Sequence, residues 1–333
     1  MKKSLLYFLL FIIVIFAGCN RGKSRLFVDV SGINIPTVKI HRYDQDLFKI
    51  PVTDLRNDLE RIKNQYYFFL GTDLNDPGKL KEMTAYLQNP RNIEFHKAVE
   101  SKFRDISKIE KDLDGAFRHW KYYFPQTRIP RVYSYISGGD YENPVQLVDS
   151  VMIIALDTYL GKDFKPYFGD GIAMYKAERM TEDHIVPDCV KEIVDKIYPE
   201  NTAAMTLLEG MLESGKRMYL ADALIPELPD DLKLEYTKKQ IEWVRKNESH
   251  VWAAIIENNL LYSTDGQYFR MFLADGPYTN EFSKDSPPRL GNWIGLQIIR
   301  AYMQKNSDLT LAQMMDEKDA QKILTLSGYK PEK

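Results

Sequence analysis

Two cysteines, Cys19 and Cys189, are all that 333 residues contain. With Cys19 taken up at the N-terminus, as argued below, the remaining thiol has no partner for an intramolecular disulfide. Such a cysteine packs as a small, inert hydrophobe. Histidine is scarce too: His41, His96, His119, His184 and His250, the closest two 23 residues apart. A zinc site draws ligands from short fixed spacings such as H-E-x-x-H on one helical face, and no such pair exists here. The nearest approach is "HIVPDCVKE", which spaces His184, Asp188 and Glu192 by four. Pro187 most naturally opens a helix there, leaving His184 outside it and Asp188 as a first-turn acid favoured by the helix dipole. Neither charge is in excess: 45 Lys and Arg face 47 Asp and Glu, a net charge of −2. Loss of Lys2 and Lys3 with a cleaved N-terminus takes that to −4, without the clustered basic surplus that nucleic-acid binding requires. No G-x-S-x-G elbow marks hydrolase chemistry. The expected site inventory is therefore empty of catalytic residues, metal ligands and cofactors.

One stretch comes close to a nucleotide site. In "GMLESGKRMYL", residues 210–220, Gly210, Gly215 and Lys216 fit the phosphate-loop spacing, but Arg217 stands where Ser or Thr should hold magnesium. A phosphate loop must follow a strand and open a helix, so that backbone N–H groups face the phosphates. Here Met205, Leu208, Met211, Leu212, Met218 and Tyr219 keep a helical period straight through both glycines, and nucleotide binding is not expected.

What the chain has in quantity is core material, at 44% hydrophobic and 12% aromatic. It also has an address. Lys2 and Lys3 precede an apolar run over residues 5–17, too short for the roughly 20 residues that cross a bilayer. A basic start, a short apolar middle and Ala17-Gly18 before Cys19 resemble a bacterial lipoprotein signal, with Phe16 where Leu is commoner. The resemblance implies cleavage after residue 18, acylation of Cys19, and a polar tether over 19–30 on a periplasm-facing membrane surface. Several acyl chains hold a protein stably at a bilayer.

The remainder divides into a mainly helical region, 31–125, and a region over 126–325 in which a small sheet joins further helices in one compact unit. "TVKIHRYDQDLF" reads as a strand entering a helix. Leu55, Leu59, Ile62, Tyr66 and Phe69 share a helical face, and helical periodicity runs from Lys79 to Tyr123 with breaks near Asn89-Pro90 and Gly115. "RVYSYIS" and "VMIIALDTYLG" are strand-like, with Ser137-Gly138-Gly139-Asp140 between them as a hairpin turn. Helices follow over about 188–198, 202–224, 234–260 and 287–304. Leu208, Leu212, Ile256, Leu260, Ile294 and Ile298 are the expected core, and Gly291 and Gly295, four apart, let another backbone approach the last helix.

"KIHRYDQDLF", "KYYFPQTRIPRVYSYISGGD", "LLEGMLESGKRMYLADALIPELPD", "YTKKQIEWVRKNESHVWAAIIENNLLYSTD" and "SPPRLGNWIGLQIIRAYM" occur in that order over about residues 25–305. Together they resemble the gliding-motility lipoprotein GldB family. That family is distantly similar to zincin-like predicted metallopeptidases with an H-E-x-x-H helix followed by an S-E-G-L-A helix. The first helix would here be "PDCVKEIVDK", without histidine, and the second "LESGKRMYL", with Ser214 before Gly215 in place of the glutamate. The resemblance implies a mostly helical α+β fold with a zincin-like core and a small mid-chain sheet. It implies a non-enzymatic, lipid-anchored envelope protein whose partners are the membrane and the gliding or envelope machinery. The alternatives are a hydrolase or a peptide- or glycan-binding protein using the degenerate cleft. Lys216, Trp243, Trp252, Tyr262, Arg289 and Trp293 are the candidate cleft or partner residues.

Overall fold

The structure, a computed structural model, describes residues 25–71, 73–201 and 205–331. Cys19 and its signal lie outside them. The chain opens with strand β1, Ile40–Arg42, which passes directly into helix α1, Tyr43–Phe48. Five helices follow: α2 Leu55–Ile62, α3 Tyr67–Leu70, α4 Pro77–Gln88, α5 Pro90–Lys102 and α6 Ser107–Tyr123. Pro77 and Pro90 stand at first helical positions, where the missing N–H costs nothing, and Asp76 and Asn89 cap those helices through their side chains. Strands β2 Arg131–Tyr135, β3 Val145–Val148 and β4 Val151–Ala155 complete the sheet. Next come α7 Lys165–Gly169, α8 Met174–Ala177, α9 Ile185–Ile197, α10 Leu207–Leu224, α11 Asp230–Leu234 and α12 Lys238–Glu257. The last helices are α13 Gly266–Leu273, α14 Leu290–Lys305, α15 Leu311–Asp316 and α16 Ala320–Ser327. This is a mostly helical α+β fold.

The sheet has the order β1-β2-β4-β3, parallel except for β3 against β4. Its faces separate by the two-residue period of a strand. Ile40, Val132, Met152 and Ile154 enter a large core shared with α5, α6, α9, α10, α12 and α14. Tyr133 and Ile153 face the other way, into a smaller core with α1, α2 and Tyr66. Helices thus cover both faces, which is why β4 reads as a continuous apolar run.

Three sequence expectations change here. Ser137-Gly138-Gly139-Asp140 is no hairpin turn, because β2 and β4 are parallel and the hairpin is β3–β4, closed at Asp149 in a left-handed conformation. The loop instead wraps a carboxylate: Asp157, fully buried, accepts from Ser137 N at 2.9 Å, Ser137 Oγ at 2.9 Å and Gly139 N at 3.0 Å. Gly115 does not break its helix; the chain breaks between Lys102 and Ser107 instead. Ile256 is 42% exposed. Val244, Val251 and Ile255 occupy the core side of α12, and the next residue is turned about 100° away from it. Leu208, Leu212, Leu260, Ile294 and Ile298 are all buried as expected.

Helix α10 begins at a capping box, in which Thr206 Oγ1 accepts from Glu209 N and Glu209 Oε2 accepts from Thr206 N. It runs unbroken through Gly210 and Gly215. Both glycines serve packing. A Cβ on Gly215 would meet the Gly295 carbonyl, and one on Gly295 would land on the Met211 carbonyl oxygen. Helices α10 and α14 therefore cross backbone to backbone at this point.

Candidate functional site

A cavity of about 640 Å³ opens beside that crossing. Its size falls in the range of ligand pockets. One stripe of α10 lines it, including Glu213, Ser214, Arg217 and Met218, spaced as a single helical face. Asp188 and Lys191 of α9, Phe269 and Leu273 of α13, and Glu235, Arg289 and Asn292 complete the part that matters below.

Most of the charged groups are engaged with one another. Glu235 Oε2 takes Arg289 Nη1 at 3.0 Å and Arg179 Nη1 at 3.2 Å, and Lys191 lies at 4.0 Å from its other oxygen. Arg217 pairs with Asp195, and Lys233 with Asp222 at 2.9 Å. Glu213 accepts from Tyr198 OH at 2.6 Å and from Lys216 at 3.1 Å. Glu235 and Arg289 both hold left-handed backbones, at φ 57° and 53°. Non-glycine residues adopt that conformation at a cost, and such strain gathers at functional sites.

Asp188 and Glu235 sit in the same cavity with opposite proton affinities. Asp188 accepts from Tyr159 OH at 2.6 Å, and desolvation, with Glu235 nearby, raises its carboxyl to about 7. Burial also opposes the charge on Glu235, but Arg289, Lys191 and Arg179 outweigh it and lower the carboxyl to about 2. The consequences for stability differ in sign. Between about pH 2 and 4.5 folded Glu235 holds fewer protons than the unfolded chain, so its contribution is present above 4.5 and lost as pH falls through about 2. Between 3.8 and about 7 folded Asp188 keeps a proton that the unfolded chain has released, so stability declines as pH rises through that window. Asp188→Asn retains an acceptor for Tyr159 and should remove the decline. Melting temperatures of variant and wild type should diverge in the variant's favour from about pH 4 to about pH 7. A pH-independent offset would refute the assignment.

Of the six candidate residues, Arg289 alone lines the cavity. Lys216 is 1% exposed and turns away from it, bonding the Glu317 carbonyl at 2.6 Å, so it is neither a cleft nor a surface residue. Trp293 is buried and donates to Glu248 at 2.9 Å. Trp243 packs edge-on against Phe282 and Trp252 against Tyr329, both half-buried in the main core. Tyr262 is exposed and bonds Gln321. The expected aromatic cleft is therefore not built from these residues. Side chains follow helical register, and the tryptophans lie on core-facing positions.

His184, Asp188 and Glu192 do not converge. His184 Nδ1 pairs with Thr181 Oγ1 at 2.9 Å, Asp188 with Tyr159, and Glu192 accepts from Leu147 N at 3.3 Å. The helix starts at Ile185, two residues before Pro187, and keeps Asp188 in its first turn. Asn292 and Glu235 had no signal in the sequence, since their roles depend on segments that meet only in the folded chain. Cys189 is fully buried.

Among the described residues no helix is long and apolar enough to cross a membrane. A family model described as gliding motility protein GldB, and designated a lipoprotein family, matches residues 23–331. No curated protein matches the chain, and no solved structure does.

Proposed function

The chain belongs to the gliding motility protein GldB family, and from that premise we propose that it is anchored by acyl chains on Cys19, faces the periplasm, and serves the gliding or envelope machinery by binding rather than by catalysis. The observation that carries the reading is the mutual engagement of the cavity's charged groups. A general acid or base must exchange a proton with its substrate, whereas Arg289, Lys191 and Arg179 hold the Glu235 carboxyl low and ionised, and Arg217 and Lys233 are engaged in ion pairs with Asp195 and Asp222. The likeness to a peptidase helix pair belongs to the same proposal: α9 and α10, which carry "PDCVKEIVDK" and "LESGKRMYL", both line the cavity. Hydrolysis is the second reading, and one observation favours it. Asp188, raised to about 7, has the proton affinity of a general acid or base.

Complementation separates the two. In gliding cells deleted for this protein, the wild-type gene should restore spreading and Cys19→Ala should not, with the variant also failing to take up a fatty-acid analogue. Asp188→Asn, which removes the titrating carboxyl, should restore spreading like the wild type. Failure of Asp188→Asn at normal protein level would favour the hydrolase, and full function of unlabelled Cys19→Ala would end the anchoring claim.

A further inference from the structure

The described chain is already packed at its first residue. Arg25 donates Nη1 to the Met303 carbonyl at 3.1 Å and Nη2 to that of Leu309, at and just beyond the end of α14. Leu26 is buried in the main core. The tether read over 19–30 therefore shortens to the residues before Arg25. Cys19 and Arg25 are six positions apart, a reach of at most about 20 Å. A folded body of about 300 residues is roughly 50 Å across. With acyl chains on Cys19, the bilayer can meet only the side of the protein that carries Arg25.

That side has the composition of a membrane-seated surface. Phe27, two residues along, is 49% exposed. The chain then follows α6, where Arg118 Nη1 donates to the Ile33 carbonyl. Tyr122, one helical turn beyond Arg118, is 43% exposed. Its neighbour Tyr123 lies close enough to Arg25 for the guanidinium to favour the ionised hydroxyl, although burial outweighs that effect. Leu326 of α16 is exposed too, and lines a hollow with Leu309. Exposed apolar residues scattered singly are ordinary, but these three surround one anchor point. Residues 20–30, 121–128, 303–309 and 326–330, the surroundings of Arg25, hold seven Lys or Arg against two Asp, although the whole chain is acidic at −2. Basic side chains beside a bilayer are drawn to anionic headgroups, and tyrosine favours headgroup depth.

We propose that this face rests on the anionic phospholipid surface of the membrane that carries the anchor, with Phe27, Tyr122 and Leu326 entering the headgroup layer. The inference rests on the acylation of Cys19 proposed above and adds an orientation. Tyr67 of α3, exposed beside the smaller core beyond the sheet, stays in water.

Spin labels test this. Cys19 is consumed by acylation and Cys189 is fully buried, so a nitroxide goes to a single introduced cysteine. The acylated full chain is placed in nanodiscs containing about one-third phosphatidylglycerol, with labels at Phe27→Cys, Tyr122→Cys, Leu326→Cys or Tyr67→Cys. The first three should collide with a water-soluble nickel chelate at least about threefold less often than the fourth, and with oxygen more often, because oxygen concentrates in lipid. Replacing phosphatidylglycerol by phosphatidylcholine should remove at least about half of that protection. Equal chelate access at all four positions, or protection indifferent to lipid charge, would overturn the inference. So would a fall in chelate and oxygen collisions together, which marks a covering protein rather than lipid. Mass spectrometry of the N-terminal peptide keeps the two readings apart. Unmodified Cys19 overturns the anchoring and this inference with it, whereas acylated Cys19 with the first three labels in water overturns this inference alone.

Discussion

Gly295→Leu should lower the melting temperature of the chain by roughly 4–5 °C. The reasoning starts from the crossing of α10 and α14, where a Cβ on Gly295 has no space because the Met211 carbonyl oxygen already occupies it. A side chain can rotate away from a neighbour, but a backbone carbonyl inside a helix cannot without breaking its own hydrogen bond. The helices must separate, and Leu208, Leu212, Ile294 and Ile298, all within the same core, lose close packing together. Overpacking costs typically 1–3 kcal/mol and sometimes more, and a backbone obstacle belongs at about 3. At an unfolding entropy of about 2.1 cal/mol/K per residue, a chain of this length shifts by roughly 1.5 °C per kcal/mol, and the stated range follows. Gly115→Leu, at a glycine with open space around its Cβ position, is the control and should leave the melt nearly unchanged. If both variants melt like the wild type, the helices do not meet as described.

The second large effect belongs to Asp222. Its oxygens take Lys233 Nζ at 2.9 Å and Arg300 Nε at 2.7 Å, while Asp230 holds Arg300 Nη2 at 2.6 Å and Arg245 at 3.2 Å. Lys233 and Asp222 are 5% and 6% exposed, so neither charge has water to fall back on. Asp222→Ala leaves the Lys233 ammonium buried without its carboxylate, and removal of one partner from a buried pair costs about 3–5 kcal/mol. Lys233→Met in the same chain removes the stranded charge and should recover much of that loss. The non-additivity of the pair is the readout, measured by denaturant melts of both single variants and the double. Simple additivity would mean that the ammonium reaches solvent and the pair is worth little. This network also ties α11 to α14, the two elements whose ends place Glu235 and Arg289 at the cavity.

Much of the fold is legible along the chain because local chemistry decides it. The paired prolines and their Asx caps set the starts of α4 and α5, and Thr206 with Glu209 sets that of α10. The period of Leu208, Met211 and Leu212 through both glycines identifies a helix where a phosphate loop would otherwise be read. Period-two patterning and branched residues give β2 and β4, but the direction of their pairing is a property of the sheet. "SGGD" has the composition of a hairpin turn and instead forms a connection closed around Asp157. Propensity cannot separate the two, because both require the same glycines at positive φ.

The sequence by itself located the long helices and strands β1, β2 and β4, the glycine contact at residue 295, and the family, since each is written in residues near one another or in long ordered segments; β3, Val145–Val148, carried no such signal. Only the tertiary structure decided the cavity. Glu235 and Arg289 are 54 residues apart and acquire their left-handed backbones and ion pair by meeting at the ends of α11 and α14. Lys216 and the tryptophans left the candidate set for the same reason: a helix fixes the angle between its residues, but which angle faces the core depends on what packs against it.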